Sequence, residues 1–190
     1  FAERVHIDIA DGEFAPTTTV DVKDLWAPEG WTIDIHLMAN DVDSYVPRLI
    51  ALRPHLLIVH AEATGDVSAA LRLVQQGGIK AGLALLRPTV PRTVDALVKQ
   101  ADHVLIFSGE LGKFGGTASL MQLEKIRLIK ALNPEAEIGW DGGVMVDNAY
   151  SLVQGGVDVL NVGGAIQKSS DPHAMFTKLQ QEITKTGVLG

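Results

Sequence analysis

Cysteine is absent from this 190-residue chain. Its absence removes a disulfide framework, a thiolate metal site and a cysteine nucleophile at once. Aromatic residues are scarce, 5% against 46% hydrophobic residues overall, so the core must be built from Val, Ile, Leu and Ala. No apolar stretch approaches the roughly 18 residues that span a bilayer, and nothing at the start has the form of a signal peptide. Basic runs are missing as well. With 16 Lys and Arg against 23 Asp and Glu, the net charge is −7, which argues against a nucleic-acid footprint. The expectation is a cytoplasmic protein whose partners include neither membrane nor nucleic acid. A phosphorylated ligand remains compatible with this acidity, because backbone N–H groups and helix N-termini bind phosphate without a basic patch.

What the chain does have is a regular alternation. Short runs rich in Val, Ile and Leu predict strands at 4–9, 31–37, 55–60, 80–85, 103–107, 136–140 and 157–162. Most are apolar on both faces, as in a parallel sheet covered by helices. Between them, helical periodicity predicts helices at 42–52, 66–77, 91–100, 118–132, 146–154 and 171–186. In 118–132, Leu120, Leu123, Ile126, Leu128 and Ile129 form the expected inner stripe, with Glu124 and Lys125 outside it. Asp171-Pro172 reads as N-cap and first helical residue, and Gly77-Gly78 and Gly155-Gly156 as helix ends. Trp26 and Trp31 flank a Pro-Glu-Gly turn and are expected to pack on it.

Unbroken βα alternation suits a doubly wound sheet or a (β/α)8 barrel, and the placement of polar residues favours the barrel. His6 and Asp8 share one face of the first strand, His36 lies near the end of the second, and Asp141 ends the sixth. Barrel enzymes gather their catalytic groups at such strand ends. Two imidazoles and two carboxylates converging there suit one divalent metal ion: zinc, iron(II), manganese or cobalt. Glycine pairs follow the later strands: Gly115-Gly116, Gly142-Gly143 and Gly163-Gly164. In these barrels the loops after the last two strands often hold a phosphate, and glycine lets backbone N–H groups approach it. Asp11-Gly12 reads as a turn, and His60 and Glu62 stand at the same height as the cluster.

The segments His6-Ile7-Asp8-Ile9-Ala10-Asp11-Gly12-Glu13-Phe14-Ala15-Pro16, Asp34-Ile35-His36-Leu37-Met38, His60-Ala61-Glu62, Gly82-Leu83-Ala84-Leu85, Phe114-Gly115-Gly116, Asp141-Gly142-Gly143 and Val162-Gly163-Gly164-Ala165-Ile166 occur in that order. This ordered set resembles the ribulose-phosphate 3-epimerases, a phosphate-binding (β/α)8 family. The resemblance implies that His6, Asp8, His36 and Asp141 are metal ligands. It further implies that Asp8 and Asp141 are the acid–base pair and that Met38 packs over the substrate. It implies C3 epimerisation of a ketose phosphate such as ribulose 5-phosphate, and a homo-oligomer. Such a reaction removes a proton beside a ketone from one face and returns one to the other, for which two carboxylates suffice. A metal can stabilise the ene-diolate charge as a Lewis acid.

The chain departs from the family in three places. The family's first βα unit, whose strand brings a serine to the substrate, has no counterpart here, and one unit more would make eight strands and about 220 residues. The expectation is one barrel domain over 1–190 lacking that N-terminal unit, hence a fragment or a chain that continues upstream. Ala10 stands where a methionine is usual in the metal motif, which widens the pocket. The segment Ser108-Gly109-Glu110-Leu111-Gly112-Lys113-Phe114-Gly115-Gly116 is longer and more charged than its family counterpart, and Leu86-Arg87-Pro88 replaces an Asn-Pro; Arg87 could reach a phosphate or be solvated. These differences keep a hexulose phosphate such as allulose 6-phosphate, or a non-catalytic phosphate-binding barrel, as alternatives. A decarboxylase or aldolase-type synthase is disfavoured, because Asp21-Val22-Lys23-Asp24-Leu25-Trp26 lacks the final Asp of the array those enzymes need.

Overall fold

The computed structural model describes residues 2–26, 28–113 and 115–185. Seven strands form one parallel sheet in sequential order: β1 (Arg4–Ala10), β2 (Thr32–Met38), β3 (Leu56–His60), β4 (Lys80–Leu85), β5 (His103–Phe107), β6 (Glu137–Asp141) and β7 (Val159–Asn161). The helices are α1 (Val42–Ile50), α2 (Val67–Gln76), α3 (Asp95–Gln100), α4 (Glu124–Leu132), α5 (Val146–Gln154), α6 (Gly164–Gln167) and α7 (Pro172–Ile183). The sheet curls into a nearly closed barrel. Its two edges, β1 and β7, line one cleft of about 220 Å³ with Ala2, Glu3 and Phe176. Seven strands in this order agree with the eight-stranded plan less one unit.

Period-2 alternation sorts the strand residues. On β2, Ile35 and Leu37 join the main core with Leu57, Val59, Leu83, Val104, Ile106 and Trp140, while the intervening positions carry Asp34, His36 and Met38. A smaller cluster of Leu56, Ile58, Ala84 and Leu105 fills the other face of β3 to β5. Each large side chain buried this way contributes about 1.5–3 kcal/mol. Glycine occupies the inner face where a neighbour needs the room. A Cβ on Gly139 would stand 2.3 Å from His103 Nε2. Helix starts follow the N-cap rule: Asp41, Asp66 and Asp171 accept the backbone N–H groups of Ser44, Ala69 and Ala174, each worth about 1 kcal/mol. No helix among the described residues is long and apolar enough to cross a membrane.

Three expectations need correction. The 91–100 and 118–132 helices each begin with a 3-10 turn, Pro91–Val94 and Leu120–Leu123. In α4 the buried face is Lys125, Ile126 and Ile129, while Leu120 is exposed. Lys125 lies on the inside because its ammonium donates to Leu86 O at 2.6 Å, so the apolar stem can be buried. Burial nevertheless lowers its pKa to about 8. Trp26 and Trp31 are covered less than the expected packing implies: they are 79% and 45% exposed.

Candidate active site

Parallel pairing of β1 with β2 sets Asp8 directly across from His36, and pairing of β5 with β6 sets Asp141 across from Phe107. His6 lies on the face of β1 that carries Asp8. His6, Asp8, His36 and Asp141 each offer one ligand atom, and these atoms all lie within 4.8 Å of one another. His36 Nδ1 lies 3.0 Å from Asp8 Oδ1 and 3.8 Å from Asp141 Oδ2. His6 Nε2 comes within 3.3 Å of Asp8 Oδ1, yet neither ring nitrogen of His6, although buried, makes a hydrogen bond of acceptable geometry. A buried imidazole left in this way is costly, and a metal ion would relieve it.

The electrostatics of the two carboxyls diverge. Burial pushes Asp141 up to about 6; the charge of Asp8 adds to the rise and that of His6 opposes it. Burial would also raise Asp8, but its contacts with His36 and His6 outweigh that and hold it well below the usual carboxylate range. For His6, burial would lower the pKa, but Asp8 and Asp141 outweigh it and the value is raised. Burial lowers fully enclosed His36 to about 4. His36 is therefore a neutral imidazole at physiological pH, the form a metal ligand requires.

Other residues singled out in the sequence surround this cluster. Met38 is buried and packs with Ala10 and Ala15, against which Phe14 and Leu111 lie. Asp11 makes its turn: Oδ1 accepts from the backbone of Glu13 and Phe14, and Oδ2 accepts from that of Asn40. Gly142 and Gly143 adopt φ of 103° and 70°. Cβ atoms there would lie 2.1 Å from the backbone nitrogens of Gly109 and Ala118. These two glycines thus let the β6–α5 turn press on the loop after β5. Gly115 and Gly116 also have positive φ; Phe114 lies outside the described residues. Gly163 and Gly164 open the short helix α6.

Two side chains gain a place that the sequence did not show. Arg87 donates to Ser108 O at 2.6 Å and Thr117 O at 3.3 Å. It ties the two ends of the 109–116 loop together instead of reaching outward. Lys168, at the end of α6, brings its ammonium to 3.3 Å from where a Cβ on Gly115 would stand. The only sequence signal for it is its position four residues after Gly164.

A parallel barrel with acid and imidazole groups at the carboxyl ends of its strands carries them where barrel enzymes gather their catalytic groups. Residues 2–167 match the model of the ribulose-phosphate 3 epimerase family. The chain is 29% identical to the ribulose-phosphate 3-epimerase of Aquifex aeolicus, over 94% of this chain and 84% of that one. It is 30% identical to the enzyme of the same name from Escherichia coli, over 97% and 85% of the two chains. Among solved structures, 3-hexulose-6-phosphate synthase from Salmonella typhimurium superposes with a TM-score of 0.61 at 17% identity, covering 80% of this chain and 73% of that one. This last likeness concerns the fold alone. The chain belongs to the ribulose-phosphate 3-epimerase family, a family of isomerases.

Proposed function

We propose that this protein interconverts ribulose 5-phosphate and xylulose 5-phosphate, with Asp8 and Asp141 as the two proton-transferring groups. The observation that carries the reading is the pair of carboxyls beside His36 Nδ1, pulled in opposite pKa directions. Such a split is what an acid and a base working on one carbon require. Asp8, as carboxylate, takes the C3 proton from one epimer, and Asp141 delivers a proton to form the other. The return reaction exchanges the roles. His6, Asp8, His36 and Asp141 fit a divalent ion of the zinc, iron(II), manganese or cobalt kind, since two carboxylates balance its charge and His6 has nitrogens to spare. When bound, such an ion stabilises as a Lewis acid the negative charge that develops on the substrate oxygens.

The phosphate is held at the glycine turns Gly115-Gly116, Gly142-Gly143 and Gly163-Gly164, by backbone N–H groups with Lys168 as the nearby cation. Arg87 donates to loop carbonyls and holds the loop that carries Gly115 and Gly116. Phe14 and Leu111 pack against the cluster of Ala10, Ala15 and Met38.

The test is turnover of ribulose 5-phosphate by the metal-loaded protein in heavy water, with substitutions Asp8→Asn and Asp141→Asn. Each should lower kcat by about 10²–10⁴-fold, and the wild type should place deuterium at C3 of its product. Either variant keeping near-normal turnover would end the two-carboxylate assignment.

A further inference from the structure

Behind His36 stands a second buried histidine that the reaction does not use. His60 ends β3 on the strand next to β2. Its Nε2 lies 2.8 Å from Nε2 of His36. Its Nδ1 lies 3.3 Å from Glu62 Oε2. Both rings are fully buried. Phe14 packs on the His60 ring at 4.6 Å between centroids, and Phe107 lies 5.9 Å from the ring of His36 and 5.8 Å from that of His60. The other oxygen of Glu62 is already engaged: Oε1 accepts the Leu86 N–H at 2.9 Å and the Thr89 hydroxyl.

Proton counting allows one arrangement once His36 serves as a ligand. Its Nδ1 faces Asp8 and Asp141, so Nδ1 must present a lone pair to a metal. The single proton of the neutral ring then sits on Nε2 and is donated to His60 Nε2. His60, accepting there, carries its own proton on Nδ1 and donates it to Glu62. A carboxylate can accept at both oxygens, whereas a carboxamide cannot. We propose that Glu62 and His60 are positioning residues: they lock His36 in the Nε2–H tautomer and so set how tightly Nδ1 holds the metal. This rests on the metal-centre reading above. Hydrogen bonds from a ligating histidine to a carboxylate orient the ring and raise its basicity. Here the carboxylate acts through a second imidazole.

Glu62→Gln separates this role from simple packing, because the shape is kept. The Leu86 N–H and the Thr89 hydroxyl both donate at the Oε1 position, so the amide oxygen must stay there and the NH2 must face His60 Nδ1. His60 is then driven to carry its proton on Nε2, against the Nε2–H of His36 at 2.8 Å. Zinc affinity, measured by competition with a coloured chelator, should fall about 10–100-fold. Long-range proton–nitrogen spectra of the zinc-loaded protein should place the His60 proton on Nδ1 in the wild type and on Nε2 in the variant.

Unchanged zinc affinity in Glu62→Gln, or a wild-type His60 protonated on Nε2, overturns the relay and leaves the metal centre standing. A wild type that binds no zinc overturns both. Should Glu62→Gln fail to fold, His60→Gln and His60→Phe replace it. The amide oxygen of the first can still accept from His36, so it should hold zinc about tenfold or more tighter than the second; equal affinities overturn the relay.

Discussion

The two ends of the barrel are built from the same strands and much the same residue types, yet they are balanced differently. At the amino end, β1, β2, β5 and β6 contribute Arg4, Asp34, His103 and Glu137. Arg4 lies 2.7 Å from Asp34 and 3.2 Å from Glu137, and His103 Nδ1 lies 2.8 Å from Glu137. A permanent cation faces two carboxylates, and the Glu137 carboxyl is held well below its ordinary range, first by the His103 hydrogen bond and then by Arg4. At the carboxyl end, one or two repeats of the same alternation later, β1, β2 and β6 contribute His6, Asp8, His36 and Asp141. The partners of these carboxyls are imidazoles, their pKa values move apart, and His6 is left without a hydrogen bond. The first arrangement pairs its charges as it stands, although Asp34 Oδ1 and His103 Nε2 are buried without a hydrogen-bond partner. On the proposed reading, the second is completed by an ion and a substrate. This is the usual division of a barrel into a stability end and a reactive end, here with a visible electrostatic cause.

The largest effect that should separate the ends is metal removal. Dialysis against a chelator should lower turnover by about 10²-fold or more, because several kcal/mol of charge stabilisation are withdrawn. Adding back zinc, manganese, cobalt or iron(II) should restore it, while substitutions at the amino end leave the recovery unchanged. Full activity after removal of all metal, verified by elemental analysis, would show that the carboxyl end does not need an ion.

The reverse experiment is Arg4→Met. It leaves Asp34, whose side chain is 3% exposed, without its cation. Loss of a charged hydrogen-bonded pair at a partly buried site should cost about 2 kcal/mol, or a drop of about 4–8 °C in melting temperature for a chain of this size. Turnover per folded molecule should stay within about twofold, since no reacting atom is touched. A large fall in kcat with unchanged melting temperature would break the comparison.

How legible each end was follows from what each depends on. The strands and most helices could be read because their signals are local: alternation on β2, caps at Asp41, Asp66 and Asp171, glycine at helix ends. The four-residue cluster was legible too, since its spacing along strands is preserved in three dimensions. What escaped depends on contacts far apart in sequence. Lys125 looked like a surface residue until Leu86 O, 39 positions away, gave its ammonium a partner. Arg87 was ambiguous because its acceptors, Ser108 O and Thr117 O, belong to a loop whose path is not local. The Arg4, Asp34, His103 and Glu137 network went unread for the same reason. The exposed Trp26 and Trp31 show the opposite error, in which apolar character alone suggested packing.

The smallest effect sharpens the contrast through pH, in metal-free protein. Glu137 has a folded pKa below its ordinary 4.5, so the folded state binds fewer protons than the unfolded one as pH falls past 4.5. Its stabilisation is therefore full above that value and is lost on further acidification. Asp141 runs the other way. Its folded pKa is about 6 against an ordinary 3.8, so it favours the folded state most below 3.8, and that advantage is lost as pH rises through 6. Glu137→Gln should lower the melting temperature at pH 7, by about 1 kcal/mol or ~2–4 °C, and matter progressively less below pH 4.5. Asp141→Asn should raise it at pH 7 and do little below pH 3.8. Melting curves of both variants across this range decide the matter. Two variants that shift stability in the same direction at pH 7 would mean that the two ends are not balanced as described, and that the carboxyl end carries no electrostatic cost for the ion to relieve.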